Sequence, residues 1–161
     1  LDALRARGVG FATLTHAAGL SSTGDAALDA RLPLDEAYRI PASTVAAIAT
    51  ARARGGRVVA IGTTVVRALE HAAARPWGLG AGDGVATNRL GRASALRVVD
   101  VLVSGTHEPG TSHYELLRAF TDAAALSLAD AALEAGAFRT HEFGDSVFIE
   151  RRAGGEARAA A

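Results

Sequence analysis

Residues 55–73, GGRVVAIGTTVVRALEHAA, limit the possible folds more than any other stretch. Arg57 to Ile61 is an apolar run suited to a strand covered on both faces. A Gly-Thr-Thr turn follows, and then a helix with Val66, Leu69 and Ala73 on one side. A strand that turns sharply into a helix is a building unit of layered α/β domains.

The flanking sequence repeats that alternation. LDALRARG reads as the last turns of a helix ending at Gly8, and VGFATLTH as a strand. Residues 17–36 form a long irregular segment of the kind that often carries function. A short extended piece, residues 37–40, leads through Pro41 into a helix closed by Gly55, with a stripe of Val45, Ile48, Ala49 and Arg52. After a Gly-rich stretch over 75–94 containing a poorly formed strand come a strong strand over 95–104, a helix HYELLRAFTDAA over 113–124, a second helix LSLADAALEAG ending at Gly136, and a last strand, SVFIE. We expect a mostly parallel sheet flanked by helices over residues 1–152 and a disordered tail over 153–161. The start, with no initiating methionine, suggests the C-terminal portion of a larger two-domain protein.

With 49% apolar but only 5% aromatic residues, the core has to be built from Ala, Val and Leu. All 17 basic residues are arginine, and 17 acidic residues balance them. A chain of zero formal charge has no global field to concentrate a polyanion, so any nucleic-acid contact would be local and led by shape. Cysteine is absent, which excludes disulfides and thiol catalysis and makes a cytoplasmic location the expectation. No apolar stretch reaches membrane-spanning length, and no secretory leader is visible. No two histidines stand at a useful metal-ligand spacing, so no metal is expected.

A helix N-terminus offers unpaired backbone N–H groups and suits a carboxylate or phosphate. Gly62, Thr63 and Thr64 open the helix, and Arg67 lies one turn further in, able to fork onto such a group. A threonine-capped helix with a surface arginine explains the same residues. The stretch is neither a Walker loop nor a dinucleotide fingerprint, so the ligand class stays open on physics alone.

Three segments in this order, GGRVVAIGTTVVRALEHAA, LRVVDVLVSGTHEPGTSHYELLRAF and FRTHEFGDSVFIE, resemble the S-adenosylmethionine:tRNA ribosyltransferase-isomerase family of queuosine biosynthesis. The likeness runs from LRARGVGFATLTH to about Glu150. It implies the C-terminal α/β part of a protein about twice this length, without the family's inserted β-barrel. It also implies transfer of the ribosyl part of S-adenosylmethionine, as co-substrate, to a 7-aminomethyl-7-deazaguanine in tRNA, forming epoxyqueuosine. On that resemblance Gly62, Thr63, Thr64 and Arg67 would hold the cofactor. His107 would move protons, as its reference pKa allows, and Asp145 would balance the sulfonium or orient a ribose hydroxyl. Glu36, Thr111, Ser112 and Arg139 would meet substrate. Asp145 equally suits a turn cap before the last strand.

Departures cluster at the implied substrate site. Thr15 stands at a family histidine position, with His16 one residue late, a shift that points a strand side chain to the other face. Leu34 replaces a histidine two residues before Glu36, NRLGRAS replaces a Tyr-Pro-Gly stretch, and Gly105-Thr106 replaces Asn-Phe before His107. His141 and Glu142 inherit no role. Three readings stand: the family enzyme; a paralogue with a changed or lost reaction; or a non-catalytic module binding a nucleoside or RNA.

Overall fold

The computed structural model describes residues 1–19, 23–139 and 144–152. Its elements are α1 (Asp2–Ala6), β1 (Thr15–His16), α2 (Ala26–Asp29), β2 (Glu36–Ile40), α3 (Ala42–Ala53) and β3 (Val59–Ile61). They continue with α4 (Thr63–Ala73), β4 (Gly82–Ala86), β5 (Val101–Gly105), α5 (Ser112–Leu117), α6 (Ala123–Ala135) and β6 (Ser146–Glu150). The strands make two three-stranded sheets, ordered β1-β2-β4 and β3-β5-β6. The class is α/β, as expected.

Within that class, parallel pairing is narrower than a mostly parallel sheet. Among the described residues only β3 and β5 run parallel, and the other three pairs are antiparallel. The β3–β5 connection contains α4 and is long enough for a crossover. By contrast, the turn before β6 docks on the end of β5, where the Thr106 N–H donates to the Asp145 carbonyl over 3.3 Å. β6 therefore starts where β5 stops and has to run back along it.

Helix α4 touches strands of both sheets, and eight of its residues are buried, Arg67 and Glu70 among them. On β2 the inward residues are Glu36, Tyr38 and Ile40. Two residues along a strand advance about 6.7 Å, and four along a helix about 6 Å. Arg67 and His71 thus meet Glu36 and Tyr38 in register. Val66, Leu69 and Ala73 are buried and join Ile40, Leu102, Leu116 and Phe120 in one core.

Several boundaries shift. Phe11 and Thr13 are outside any strand, and β1 is confined to Thr15 and His16. His16 is the register partner of Tyr38 and shares its inward face, whereas Thr15 points outward. Pro41 is the N-cap of α3 rather than its first residue. The double coverage expected of β3 is missing among the described residues. Val59 is 47% and Ile61 67% exposed, and Phe148, on the same face by register, is 58% exposed.

The contact between α4 and β2 carries a pH response. Arg75 Nη2 donates to Tyr38 Oη over 3.0 Å, so the phenol proton is left for His71 Nδ1 at 2.9 Å. That geometry needs an unprotonated Nδ1. Burial, with Arg75 and Arg67 nearby, lowers the His71 pKa from its ordinary value. The unfolded chain therefore binds the extra proton first, and stability rises with pH across the interval. The contribution is complete above about pH 6.5 and is lost as pH falls through the folded value. Urea midpoints measured from pH 7.5 to pH 5 should fall for the native chain and fall less for His71→Gln. Identical slopes would show that His71 carries none of the response.

Candidate functional site

The Gly62 turn is built by its backbone. Gly62 adopts φ 96°, a region open to glycine and costly for other residues. Its N–H donates to the Val103 carbonyl over 2.8 Å, extending the β3–β5 pairing to the point where the chain turns into α4. Gly62 is the N-cap and no side chain caps the helix, so the threonine-capped alternative does not hold. Thr63 is buried and Thr64 half-buried. None of the three lines either cleft described below.

Arg67 and Glu36 find each other. Their side chains are 3% and 6% exposed, with Nη1 and Oε2 2.7 Å apart. No N–H lies well aligned on that oxygen, so the attraction is mainly Coulombic. Arg67 Nε donates to the Asn88 carbonyl, and Nη2 to those of Leu34 and Ala86. Glu36 Oε1 accepts from the Gly19 N–H at 3.0 Å. Burial lowers the Arg67 pKa, while Glu36 and Asp35 oppose that shift. The guanidinium read from sequence as a ligand fork is thus engaged by protein groups on several sides.

His107 follows the end of β5 and is oriented by a side chain of that strand. Buried Ser104 places its Oγ 2.8 Å from His107 Nε2. Thr106, 2% exposed, donates through Oγ1 to the Arg139 carbonyl. Asp145 closes the adjoining turn: Oδ2 accepts from the Arg139 N–H at 2.8 Å, and the Asp145 N–H donates to the Arg139 carbonyl. The carboxylate thus acts as the turn cap weighed above, and both Arg139 and Asp145 are exposed. His141 and Glu142 lie outside the described residues. Thr106, counted as a departure, is a buried anchor that brings this turn to His107.

A cleft of about 310 Å³ lies between the α2–β2 connection, α4, the segment after β4 and the start of α5. Arg67, Arg89, Ser112 and His113 are its cationic, hydroxyl and imidazole groups, with Asp29 and Glu115 also in the lining. The structure separates the two hydroxyls of the Thr-Ser pair. Thr111 Oγ1 accepts from the Tyr114 N–H and donates to the Glu108 carbonyl, so it caps α5. Ser112 Oγ is buried without a hydrogen-bond partner, a condition a bound polar group would relieve. A second, more apolar cleft of about 330 Å³ lies between α6 and β6, with His107 at its wall. The His107 and His113 rings touch between the clefts, with centroids 4.9 Å apart and planes tilted 52°.

Sequence reasoning missed Ser104, Arg89 and the role of His113. Ser104 sits three residues before His107, a spacing that offered a signal; Arg89 and His113 reach the cleft only through tertiary placement. Among the described residues no three His, Asp or Glu side chains come together as a metal-holding group.

A family model described as a queuosine biosynthesis protein matches residues 1–149. The S-adenosylmethionine:tRNA ribosyltransferase-isomerase of Azoarcus sp. (strain BH72) is 39% identical over 154 residues, covering 94% of this chain and 44% of its own length. The protein of that name from Citrifermentans bemidjiense is 38% identical over 152 residues, covering 92% of this chain and 44% of its own length. The crystal structure of the S-adenosylmethionine tRNA ribosyltransferase from Thermotoga maritima matches with a TM-score of 0.73 at 28% identity, over 91% of this chain and 47% of that one. The chain spans less than half the length of these relatives.

Proposed function

The chain belongs to the queuosine biosynthesis protein family, and from that premise we propose that it is the α/β part of an S-adenosylmethionine:tRNA ribosyltransferase-isomerase. The reaction would move the ribosyl group of S-adenosylmethionine to the aminomethyl-deazaguanine of a tRNA, giving epoxyqueuosine, and would take place in the cytoplasm. No helix among the described residues is long and apolar enough to cross a membrane.

The unpartnered Ser112 hydroxyl, on a residue lining the first cleft where His113 meets the His107 ring, carries this reading. His107, oriented by Ser104, moves protons at the reacting nucleoside, while Ser112 takes a hydroxyl or carboxylate of the ligand. Arg67 lines the cleft, held by its ion pair with Glu36, and Asp145 holds the Arg139 turn against Thr106. The engagement of Arg67 by Glu36 favours, as a second reading, a paralogue whose reaction has changed.

The test is expression of the protein carrying this chain in a strain lacking the activity, followed by mass spectrometry of tRNA nucleosides. Epoxyqueuosine should appear and should fall at least about a hundredfold with His107→Gln, as for loss of an acid–base group. No product from the native protein favours the second reading. Equal product from the variant removes His107 from the chemistry.

A further inference from the structure

His113 has no part in the proposal above, yet it faces the same cleft and its ring lies against His107. The turn at Pro109-Gly110, with Gly110 at φ 88°, and the Thr111 cap on the Tyr114 N–H bring the first turn of α5 back over the end of β5. From that turn His113 reaches the cleft that Arg67, Arg89 and Ser112 also line. His107 has one ring nitrogen, Nε2, on Ser104 Oγ.

We infer that His113 is a second proton-holding group of this site, coupled to His107 by direct ring contact, so that a proton on one ring disfavours a proton on the other. Two imidazolium ions at 4.9 Å repel, and for half-buried groups that repulsion splits their titration by about one pH unit. Charged groups face the pair from both sides. On the His113 side, Asp29 accepts from the Thr23 N–H and hydroxyl, Glu115 pairs with Arg118, and Arg67 pairs with Glu36. On the His107 side, Asp130 accepts from the Tyr114 hydroxyl and Glu150 pairs with Arg57, while Glu108 is next in the chain. Arg89, whose guanidinium rests on the Arg31 carbonyl, adds to the cost of a second proton.

The coupling is a property of the folded chain. That the coupled pair serves a ligand in the cleft rests on the function proposed above. The experiment is an NMR titration of the imidazoles in the native protein, His113→Gln and His107→Gln. In the native protein the pair should titrate in two steps about one unit apart. In at least one variant the remaining histidine should titrate about one unit above the lower native step. If each remaining histidine keeps its native midpoint, the coupling is overturned. Nucleoside analysis keeps the two ideas apart: uncoupled histidines with epoxyqueuosine formed sink this inference alone, and coupled histidines without product sink the proposed function alone.

Discussion

Arg67→Ala should lower the unfolding free energy by about 3–5 kcal/mol, the cost of leaving one partner of a buried ion pair uncompensated. The substitution strands Glu36, 6% exposed, and also removes the donors to the Leu34, Ala86 and Asn88 carbonyls. Those carbonyls belong to the β2 approach, β4 and the segment beyond it, so the damage should loosen the whole β2–β4–α4 contact. Glu36→Leu combined with Arg67→Met should be less destabilised than Arg67→Ala, since the double change strands no charge. Urea denaturation of the variants gives both numbers. Arg39 and Asp83 also form an ion pair, but their side chains are 70% and 66% exposed. Removing that pair should leave the midpoint almost unchanged. A midpoint for Arg67→Ala equal to that of the native chain would show that the guanidinium is not the tie between helix and strand.

Glu70→Ala should be nearly as severe, about 3 kcal/mol or more. Glu70 is 4% exposed, and its carboxylate accepts the N–H groups of Arg97 (2.6 Å), Val98 (2.9 Å) and Val99 (2.8 Å). Hydrogen bonds to a charged acceptor are worth more than neutral ones, and removing the acceptor leaves buried donors unpaired. The effect should be local before it is global. Exchange of the Val98 and Val99 amides should quicken by about a hundredfold or more, while amides of α6 change only with the overall stability. Glu70→Gln keeps one acceptor and should lie between the native chain and alanine. Unchanged exchange at Val98 and Val99 would refute the assignment.

These two residues show where legibility in the sequence ends. Helix α4 was readable because the spacing of Val66, Leu69 and Ala73 is local information. The burial of Arg67 and Glu70 was not, because it depends on acceptors and donors 19 to 33 residues away. The same contact explains a misread strand. Residues 95–104 look extended throughout, but Arg97 to Val99 bend to the Glu70 carboxylate, and β5 begins only at Val101. The Phe11 region looked like a strand because alternation is visible without a partner, yet pairing begins only at Thr15.

At the site, the order of elements and the place of His107 after β5 could be read directly. How work divides between neighbours could not. Thr111 and Ser112 are adjacent and chemically alike, and only α5 decides that the first caps a helix and the second faces a cleft. Asp145 likewise suited both a ligand and a turn, and its bond to the Arg139 N–H follows from how the chain turns back before β6.

A titration of the ¹⁵N-labelled protein with S-adenosylmethionine reports whether the cofactor enters the cleft of Arg67, Arg89, Ser112 and His113. Saturable shifts should concentrate at residues 29–33, 67, 89–90 and 110–116, and the affinity should weaken at least about tenfold in Ser112→Ala with the unfolding midpoint kept. Saturable shifts that leave those residues unmoved, or equal affinity in the Ser112 variant, would contradict binding there.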